Sequence, residues 1–335
     1  MKALRIALLV VLLLCGLLLA YVLSRAHYPA RPVGFQAVAV SAPDGTRFPV
    51  VLYYPTTARP WPTTLLGANL ISVAKDGPVD GLGLPLVVIS HGNEGGPGSH
   101  VDLALALAEK GFVVAAPVHP GDNAADASAV GTTAWFTGRH RDMRATLDHV
   151  LGRWTGHGHI DAAKVGVFGF SAGGFTALTT VGARPDLGRI GAHCAQAPEL
   201  VCDLLTRARS PLMQAPASAG AWEGDPRVKA AVVVAPGLGF TFAGEALAGV
   251  RVPVQLWTGA ADRNVPTASN AAVVATGLGQ RAELHEVPGA GHFTFLAPCG
   301  LFGPPMLCAD GPGIEREKLH ADMNAAVADF FARTL

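Results

Sequence analysis

The sequence predicts one α/β domain around a mostly parallel, doubly wound sheet, with an apolar leader in front of it. Apolar, branched segments alternate along the chain with helical stretches, an order that places helices on both faces of a parallel sheet. These segments are continuously apolar rather than alternating, as expected for strands buried on both faces. At 335 residues the chain is long enough to bury one large core.

The predicted elements are runs of apolar or helix-forming residues bounded by glycine, proline and other turn residues. Five runs are the predicted central strands: residues 84–90, 111–117, 164–168, 228–235 and 252–258. Five helices are predicted: residues 101–110, 139–151, 174–183, 269–276 and 316–331. Two antiparallel strands, around residues 37–40 and 47–54, are expected to come before the parallel part of the sheet.

The leader, residues 1–26, is predicted to be a signal peptide or an N-terminal membrane anchor. Lys2 and Arg5 precede an uncharged run over residues 6–23, which as a helix is roughly 27 Å long and so matches the core of a bilayer. Small residues just before His27 also permit cleavage by a signal peptidase, so removal and retention both stay open. Lys2 and Arg5 are expected to stay on the cytoplasmic side of the membrane, because positive residues beside a span favour that side. The rest of the chain is then predicted to lie in the periplasm or outside the cell.

Residues 27–34 are predicted to form an extended linker, because Pro29 and Pro32 disfavour a helix. The main domain is predicted to span residues 35–335. Within it, residues 184–226 interrupt the alternation of strands and helices and are rich in Ala, Pro and Ser. This insertion could be a lid over a pocket or a plain surface excursion, and the sequence favours neither.

Four of the five cysteines are predicted to form two disulfides, which suits an exported domain. Cys194 lies close to Cys202 in the sequence, and Cys299 lies close to Cys308. Each short loop would stabilise the fold by about 2–3 kcal/mol through the entropy of the unfolded chain. Free buried thiols are the alternative.

Composition and motifs exclude several classes of function. Lys and Arg together number 25, as do Asp and Glu, so no excess of positive charge is available to neutralise a nucleic-acid backbone. The sequence contains no Walker loop, no GxGxxG fingerprint and no zinc-ligand spacing. We therefore predict no nucleic-acid partner, no metal and no cofactor.

The strongest motif is VGVFGFSAGGFTAL, residues 165–178, in which the sequence GFSAG joins a predicted strand to a predicted helix. This is the context of the nucleophile elbow of α/β-hydrolases. Gly169 and Gly173 leave room where the strand and the helix cross. The motif predicts the α/β-hydrolase fold with Ser171 as nucleophile, and a glycine-rich turn without chemistry is the alternative.

A serine hydroxyl needs a base to take its proton and a carboxylate to orient that base. In this fold the chain order is serine, acid, histidine. His292, in a glycine-rich loop after the last short strand, is the candidate base, whereas His285 and His320 are placed on a strand and on the last helix. Asp262, just beyond the strand at 252–258, is the candidate acid, and a turn or helix-capping aspartate is the alternative.

Acyl transfer also needs hydrogen-bond donors for the oxyanion of the tetrahedral intermediate. The backbone N–H of Ala172 follows the nucleophile directly. The loop SHGNEGG, residues 90–96, follows an earlier central strand and should supply the second donor. Asn93 is preferred for this donor, with Gly92 as the alternative, and His91 is expected to hydrogen-bond the loop.

Five segments carry a family resemblance when they are taken together. They are SHGNEGG at 90–96, KGFVVAAPVHPGDN at 110–123, RHRDMRATLDHVL at 139–151, VGVFGFSAGGFTAL at 165–178 and PGAGHFTFLAPC at 288–299. As a set they resemble the exported bacterial dienelactone-hydrolase-like family, which is related to platelet-activating-factor acetylhydrolases. The resemblance spans about residues 35–333 and implies an α/β-hydrolase that cleaves carboxylic esters without a metal.

Carried over by motif position, the resemblance implies Ser171 as nucleophile, His292 as base, and Ala172 and Asn93 as oxyanion donors. The acetylhydrolase branch carries its acid after the sixth strand, where this chain offers no carboxylate. Asp262 therefore follows the pattern of the wider fold. Dienelactone hydrolases use a cysteine nucleophile, whereas this chain has serine at position 171.

The sequence thus predicts a serine hydrolase that cleaves carboxylic esters of short or medium acyl chains through an acyl-enzyme. A peptidase or a thioesterase is the first alternative, because the three residues do not select the leaving group. A catalytically inactive binding protein that kept the fold is the second. The predicted partners are a small-molecule ester and, if the leader is retained, a membrane spanned by residues 6–23.

Overall fold

The structure is a computed structural model that describes residues 2–24, 27–65, 69–216, 220, 222–300 and 303–335. The strands of this part of the chain are β1 (Val33–Ser41), β2 (Arg47–Pro55), β3 (Trp61–Leu65), β4 (Asn69–Lys75), β5 (Leu84–Ser90), β6 (Val113–Pro117), β7 (Ile160–Phe170), β8 (Val228–Val234), β9 (Val254–Gly259) and β10 (Ala282–Val287). The helices are α1 (Lys2–Ser24), α2 (Val101–Glu109), α3 (Ala134–Gly152), α4 (Ala172–Thr180), α5 (Arg189–Gln196), α6 (Leu200–Arg207), α7 (Ala271–Leu278), α8 (Pro305–Cys308) and α9 (Arg316–Thr334).

The strands form one sheet in the order β10-β9-β8-β7-β5-β6-β2-β1-β4-β3. From β10 to β6, all neighbouring strands pair in parallel. The antiparallel pair β1 and β2 joins this part through β6. The predicted parallel sheet with antiparallel N-terminal strands is therefore present.

Both faces of the parallel strands are buried. In β5, Leu86 and Val88 contribute to the core layer that also contains residues of α3, α4 and α7. Val87 and Ile89 contribute to the opposite layer, with residues of α2 and α9. This burial on two sides explains why the strands are continuous apolar runs in the sequence.

The observed elements differ from the predicted ones mainly at their ends and at one edge of the sheet. β5 coincides with the prediction, whereas β7 is longer than the predicted strand at 164–168, and α3 begins before residue 139. β3 and β4 were not predicted. β3 lies at the edge of the sheet, where Trp61 is exposed, so its sequence lacks a run of buried apolar residues.

The segment predicted as a linker, residues 27–34, is joined to the sheet. The N–H of His27 donates to the carbonyl of Leu70, and the carbonyl of His27 accepts from the N–H of Ser72, both at 2.9 Å. Val33 is fully buried and begins β1. The folded domain therefore begins before residue 35.

One helix of the described residues is long and apolar enough to cross a bilayer. It is α1, in which Leu4–Ser24 has a mean hydropathy of 3.1 and is not buried against the rest of the chain. A signal sequence and a membrane anchor both have this character, so α1 fits both predicted alternatives. Arg25 and Ala26, at the predicted cleavage site, lie outside the described residues.

Candidate active site

Ser171 lies at the turn between β7 and α4, with φ of 55° and ψ of −117°. A positive φ is strained for a residue with a side chain and costs about 1–3 kcal/mol. Two close contacts hold this turn in place and admit only glycine. A Cβ at Gly169 would lie 1.9 Å from the carbonyl oxygen of Gly173, and a Cβ at Gly173 would lie 2.0 Å from that of Ser90. The crossing of strand and helix therefore fixes the position of the Ser171 hydroxyl.

Ser171, His292 and Asp262 form a hydrogen-bonded row. The Oγ of Ser171 lies 2.9 Å from Nε2 of His292, and Nδ1 of His292 lies 2.7 Å from Oδ2 of Asp262. Because an ionised carboxylate only accepts, it favours the tautomer with hydrogen on Nδ1, which leaves Nε2 free to accept from the hydroxyl. The structure thus brings together the three residues that the sequence proposed from distant positions.

Asp262 is held by its own loop. Its Oδ1 accepts from the backbone N–H groups of Asn264 at 2.9 Å and Val265 at 2.8 Å, while Oδ2 faces His292. The carboxylate is fully buried, and these donors offset the cost of removing it from water. The turn role that the sequence left open is therefore present together with the contact to His292.

A buried arginine shapes the loop that carries Asn93. Nη1 of Arg139, in α3, donates to the carbonyl of His91 at 2.7 Å, and Nη2 donates to the carbonyl of Gly92 at 2.9 Å. Its Nε donates to Asp122 at 2.6 Å. The C=O and N–H of a trans peptide point in opposite directions, so the held carbonyl of Gly92 turns the N–H of Asn93 away from Arg139.

The pocket beside Ser171 is small and mostly apolar. Its volume is about 40 Å³, which is room for about three water molecules. Asn93 and Ala172, the two proposed oxyanion donors, contribute to its wall together with Ser171. Side chains from α3, from α6 and from the loop after β8 complete most of the wall: Trp135, Phe136, Leu200, Val201, Leu204 and Leu238.

Part of the insertion at 184–226 forms one wall of this pocket. The insertion contains α5 and α6, and the disulfide between Cys194 and Cys202 joins the two helices. Four residues of the α6 region line the pocket, so this part of the insertion lies against Ser171. Residues 217–219 and 221 lie outside the described part of the chain.

Glu199, just before α6, brings a buried carboxylate to the pocket wall. Its Oε2 accepts from the side-chain amide of Asn270 at 2.8 Å and from the hydroxyl of Ser269 at 3.1 Å. Its Oε1 has no hydrogen-bond partner among the described residues. Burial raises the pKa of Glu199, against the lowering effect of the hydrogen bond from Asn270. Glu199 is not among the site residues predicted from the sequence.

A second row of the same three residue types lies behind the pocket. The Oγ of Ser90 is 2.9 Å from Nε2 of His119, whose Nδ1 is 3.1 Å from Oδ2 of Asp142. All three residues are 1% exposed or less and none of them lines the pocket, whereas Ser171 does. Burial lowers the pKa of His119 well below its ordinary value and raises that of Asp142 to about 6.

The other histidines considered from the sequence have partners elsewhere. His91 contacts its own loop through Nδ1, 2.7 Å from the carbonyl of Gly92, as expected. His285 stacks on Trp257 with the ring centroids 4.2 Å apart. His320 pairs through Nδ1 with Asp102 at 2.7 Å.

The second cysteine pair is also bonded, between Cys299 and Cys308. Both disulfides fit an exported protein. Among the residues that the structure describes, no three His, Cys, Asp or Glu side chains are grouped so that they could hold a metal ion.

The fold resembles that of a solved esterase. The structure of a ferulic acid esterase from Streptomyces cinnamoneus matches with a TM-score of 0.63 at 19% sequence identity, over 92% of this chain and 93% of that chain. At this identity the likeness shows the fold, which is the α/β-hydrolase fold. No protein-family model matches the sequence, and no curated protein matches it. The resemblance to dienelactone-hydrolase-like proteins therefore stays a prediction.

Proposed function

We propose that the protein is a serine hydrolase that cleaves carboxylic esters through an acyl-enzyme. The observation that carries this proposal is the row from Ser171 through His292 to Asp262, with contacts of 2.9 Å and 2.7 Å, beside a pocket of about 40 Å³. The small pocket favours the short end of the predicted range of acyl chains. The fold shared with a ferulic acid esterase supports ester hydrolysis at the general level.

In the proposed mechanism, Nε2 of His292 takes the proton of Ser171 while Oγ attacks the ester carbonyl carbon. The buried carboxylate of Asp262 stabilises the imidazolium that forms. The backbone N–H groups of Ala172 and Asn93 bind the oxyanion of the tetrahedral intermediate. His292 then gives its proton to the leaving alcohol, and a water molecule activated in the same way releases the acid.

We further propose that the enzyme acts in the periplasm or outside the cell. The apolar helix α1 fits a signal peptide or a membrane anchor, and the two disulfides fit an oxidising compartment. Fractionation of cells that express the full chain tests this placement. Activity found only in the cytoplasm would contradict it.

The experiment that tests the reaction is a series of p-nitrophenyl esters from acetate to octanoate. We expect the highest kcat/KM on the shorter chains and a fall of at least about 10³-fold in kcat for Ser171→Ala. Ser90→Ala is the matched control, because Ser90 belongs to the second row, and it should keep kcat within about tenfold of the wild type.

A fluorophosphonate probe separates the alternatives. Labelling of Ser171 without hydrolysis of any ester, but with cleavage of a peptide or a thioester, would select the peptidase or thioesterase alternative. An unlabelled Ser171 in the folded protein would favour the inactive binding protein.

A further inference from the structure

Glu199 lies in the wall of the Ser171 pocket, and one of its two carboxylate oxygens is unpaired among the described residues. Its Oε1 is buried and has no hydrogen-bond partner among the described residues, and the whole side chain is 1% exposed. Buried polar groups in folded proteins nearly always have a partner, because losing water without gaining one reduces stability. A bound ligand with a hydrogen-bond donor would supply the missing partner.

The rest of the carboxylate is fixed without a ligand. Oε2 accepts from Asn270 and Ser269, and Nε2 of His193 lies 3.4 Å away. Asn270 is itself oriented, because its Oδ1 accepts from the N–H of Gly239 at 2.6 Å. Oε2 alone therefore docks the α6 region onto the segment that follows Asp262, and Oε1 is not needed for this contact.

The nearby wall does not provide a donor to Oε1. Leu200, Val201 and Leu204 offer only aliphatic side chains. The indole N–H of Trp135 donates to Asp122, and the side-chain amide of Asn93 donates to Glu94 at 3.3 Å. A polar acceptor in a mostly apolar pocket is the arrangement by which binding sites select one orientation of a ligand.

The pocket takes the acyl part of an ester rather than its alcohol. The leaving oxygen must lie near Nε2 of His292 to receive its proton, and His292 is not part of the pocket wall. The wall instead contains Ser171, to which the acyl group becomes attached, and the proposed oxyanion donors Ala172 and Asn93. Glu199 is therefore on the acyl side of the scissile bond.

We infer that the enzyme is selective for esters of short hydroxy acids, with Oε1 of Glu199 binding the hydroxyl of the acyl group. This inference rests on the proposed ester hydrolysis. A hydroxyl donates to a carboxylate and accepts from a carboxylic acid, so it suits Glu199 in either protonation state, whereas an ammonium group suits only the ionised state. The volume of about 40 Å³ suits an acyl group with a few atoms beyond the carbonyl.

Pairs of substrates that differ only in the hydroxyl test this inference. One pair is p-nitrophenyl 3-hydroxybutyrate and 3-methylbutyrate, and the other is p-nitrophenyl lactate and 2-methylpropanoate, in which a methyl group replaces the hydroxyl. Each kcat/KM is divided by the rate of hydrolysis by hydroxide, and both enantiomers of each hydroxy ester are used. We expect the wild type to prefer the hydroxy ester by about tenfold or more in at least one pair.

Equal values within both pairs would overturn the inference but leave ester hydrolysis intact. Hydrolysis of none of these esters, nor of p-nitrophenyl acetate, would instead overturn the proposed function. A stronger preference for p-nitrophenyl 3-aminobutyrate would assign the site to a cation and overturn the hydroxyl assignment. The wild-type ratios decide these outcomes without any variant.

Variants then test the role of Glu199. In Glu199→Leu the ratio of kcat/KM for the hydroxy ester to kcat/KM for the methyl ester should fall to about one. Ser269→Ala removes one docking contact of Oε2 without touching Oε1, and Glu223→Gln changes an exposed carboxylate of the same segment. Both controls should keep the preference. A preference that persists in Glu199→Leu would overturn the assignment.

Discussion

Replacing Arg139 by lysine tests how the loop that carries Asn93 is held in place. The guanidinium donates to three acceptors at 2.9 Å or less, which are the carboxylate of Asp122 and the carbonyls of His91 and Gly92, and to the hydroxyl of Ser90 at 3.4 Å. A lysine ammonium keeps a positive charge near Asp122, but a single nitrogen cannot reach all three positions in the fork geometry. We expect the Gly92 carbonyl to turn, which moves the N–H of Asn93 away from the oxyanion.

The size of the effect follows from these contacts. Losing one oxyanion donor costs about 10²–10³ in kcat, or about 2.7–4 kcal/mol. KM should change little, because the donor binds the transition state more strongly than the ground state. In Arg139→Lys, Asp122 would still accept from the N–H of Glu94 at 2.7 Å and from the indole N–H of Trp135, so the variant should fold. Its free energy of unfolding should fall by about 1–3 kcal/mol, the cost of an unpaired buried carbonyl.

The assay is steady-state hydrolysis of a short p-nitrophenyl ester, with thermal unfolding followed by circular dichroism. Arg144→Lys is the matched control, because Arg144 lies on the same helix, is 46% exposed and, among the described residues, forms a side-chain ion pair with Glu223 alone, at 3.5 Å. This control should leave kcat and the unfolding temperature close to wild type. A folded Arg139→Lys enzyme with wild-type kcat would refute the argument that the guanidinium positions Asn93.

Three further predictions concern the acid, one disulfide and a buried histidine. Asp262→Asn should lower kcat by about 10⁴-fold in steady-state assays, because an amide can donate to the imidazole and favour the wrong tautomer, and near-normal kcat would contradict the assigned role. Replacing Cys194 and Cys202 together by serine should reduce the free energy of unfolding in urea by about 2–3 kcal/mol, and an unchanged value would contradict the contribution of this loop. Burial lowers the pKa of His320, but the hydrogen bond and charge of Asp102 outweigh burial, so the pKa is raised. Its contribution to stability is therefore complete below the ordinary imidazole pKa of about 6.5 and is lost as the pH rises through the raised value. His320→Gln should thus destabilise the protein more at about pH 6 than at about pH 9, and equal losses in urea unfolding at the two pH values would count against this pair.

The parallel sheet and the elbow could be predicted because their physical requirements are local. Strands buried on both faces need continuous apolar runs, and the strained turn at Ser171 needs Gly169 and Gly173 beside it. The positions of Asp262 and His292 follow from the ends of two strands, because parallel strands bring their following loops to one edge of the sheet. Each of these features is visible within a short stretch of sequence.

The pocket could not be predicted, because its wall comes from contacts between distant segments. Glu199 reaches the pocket only because the insertion folds over Ser171, and its partner Asn270 lies beyond Asp262 in the sequence. The sequence places Arg139 in a predicted helix, but nothing in the neighbouring sequence distinguishes this buried arginine from the exposed Arg144.

The two Ser–His–Asp rows share their residue types and hydrogen bonds but differ in their surroundings. In the row of Ser90, burial lowers the pKa of His119 and raises that of Asp142, and none of the three residues lines the pocket, so the row supports its surroundings. This row contacts the loop that carries Asn93, since the N–H of His119 donates to Nε2 of His91 at 3.3 Å. The carbonyl of Ser90 also packs against Gly173. The row of Ser171 differs in that its hydroxyl stands on a strained turn beside a pocket. One arrangement of side chains thus occurs twice, once beside the pocket and once next to the loop that carries Asn93.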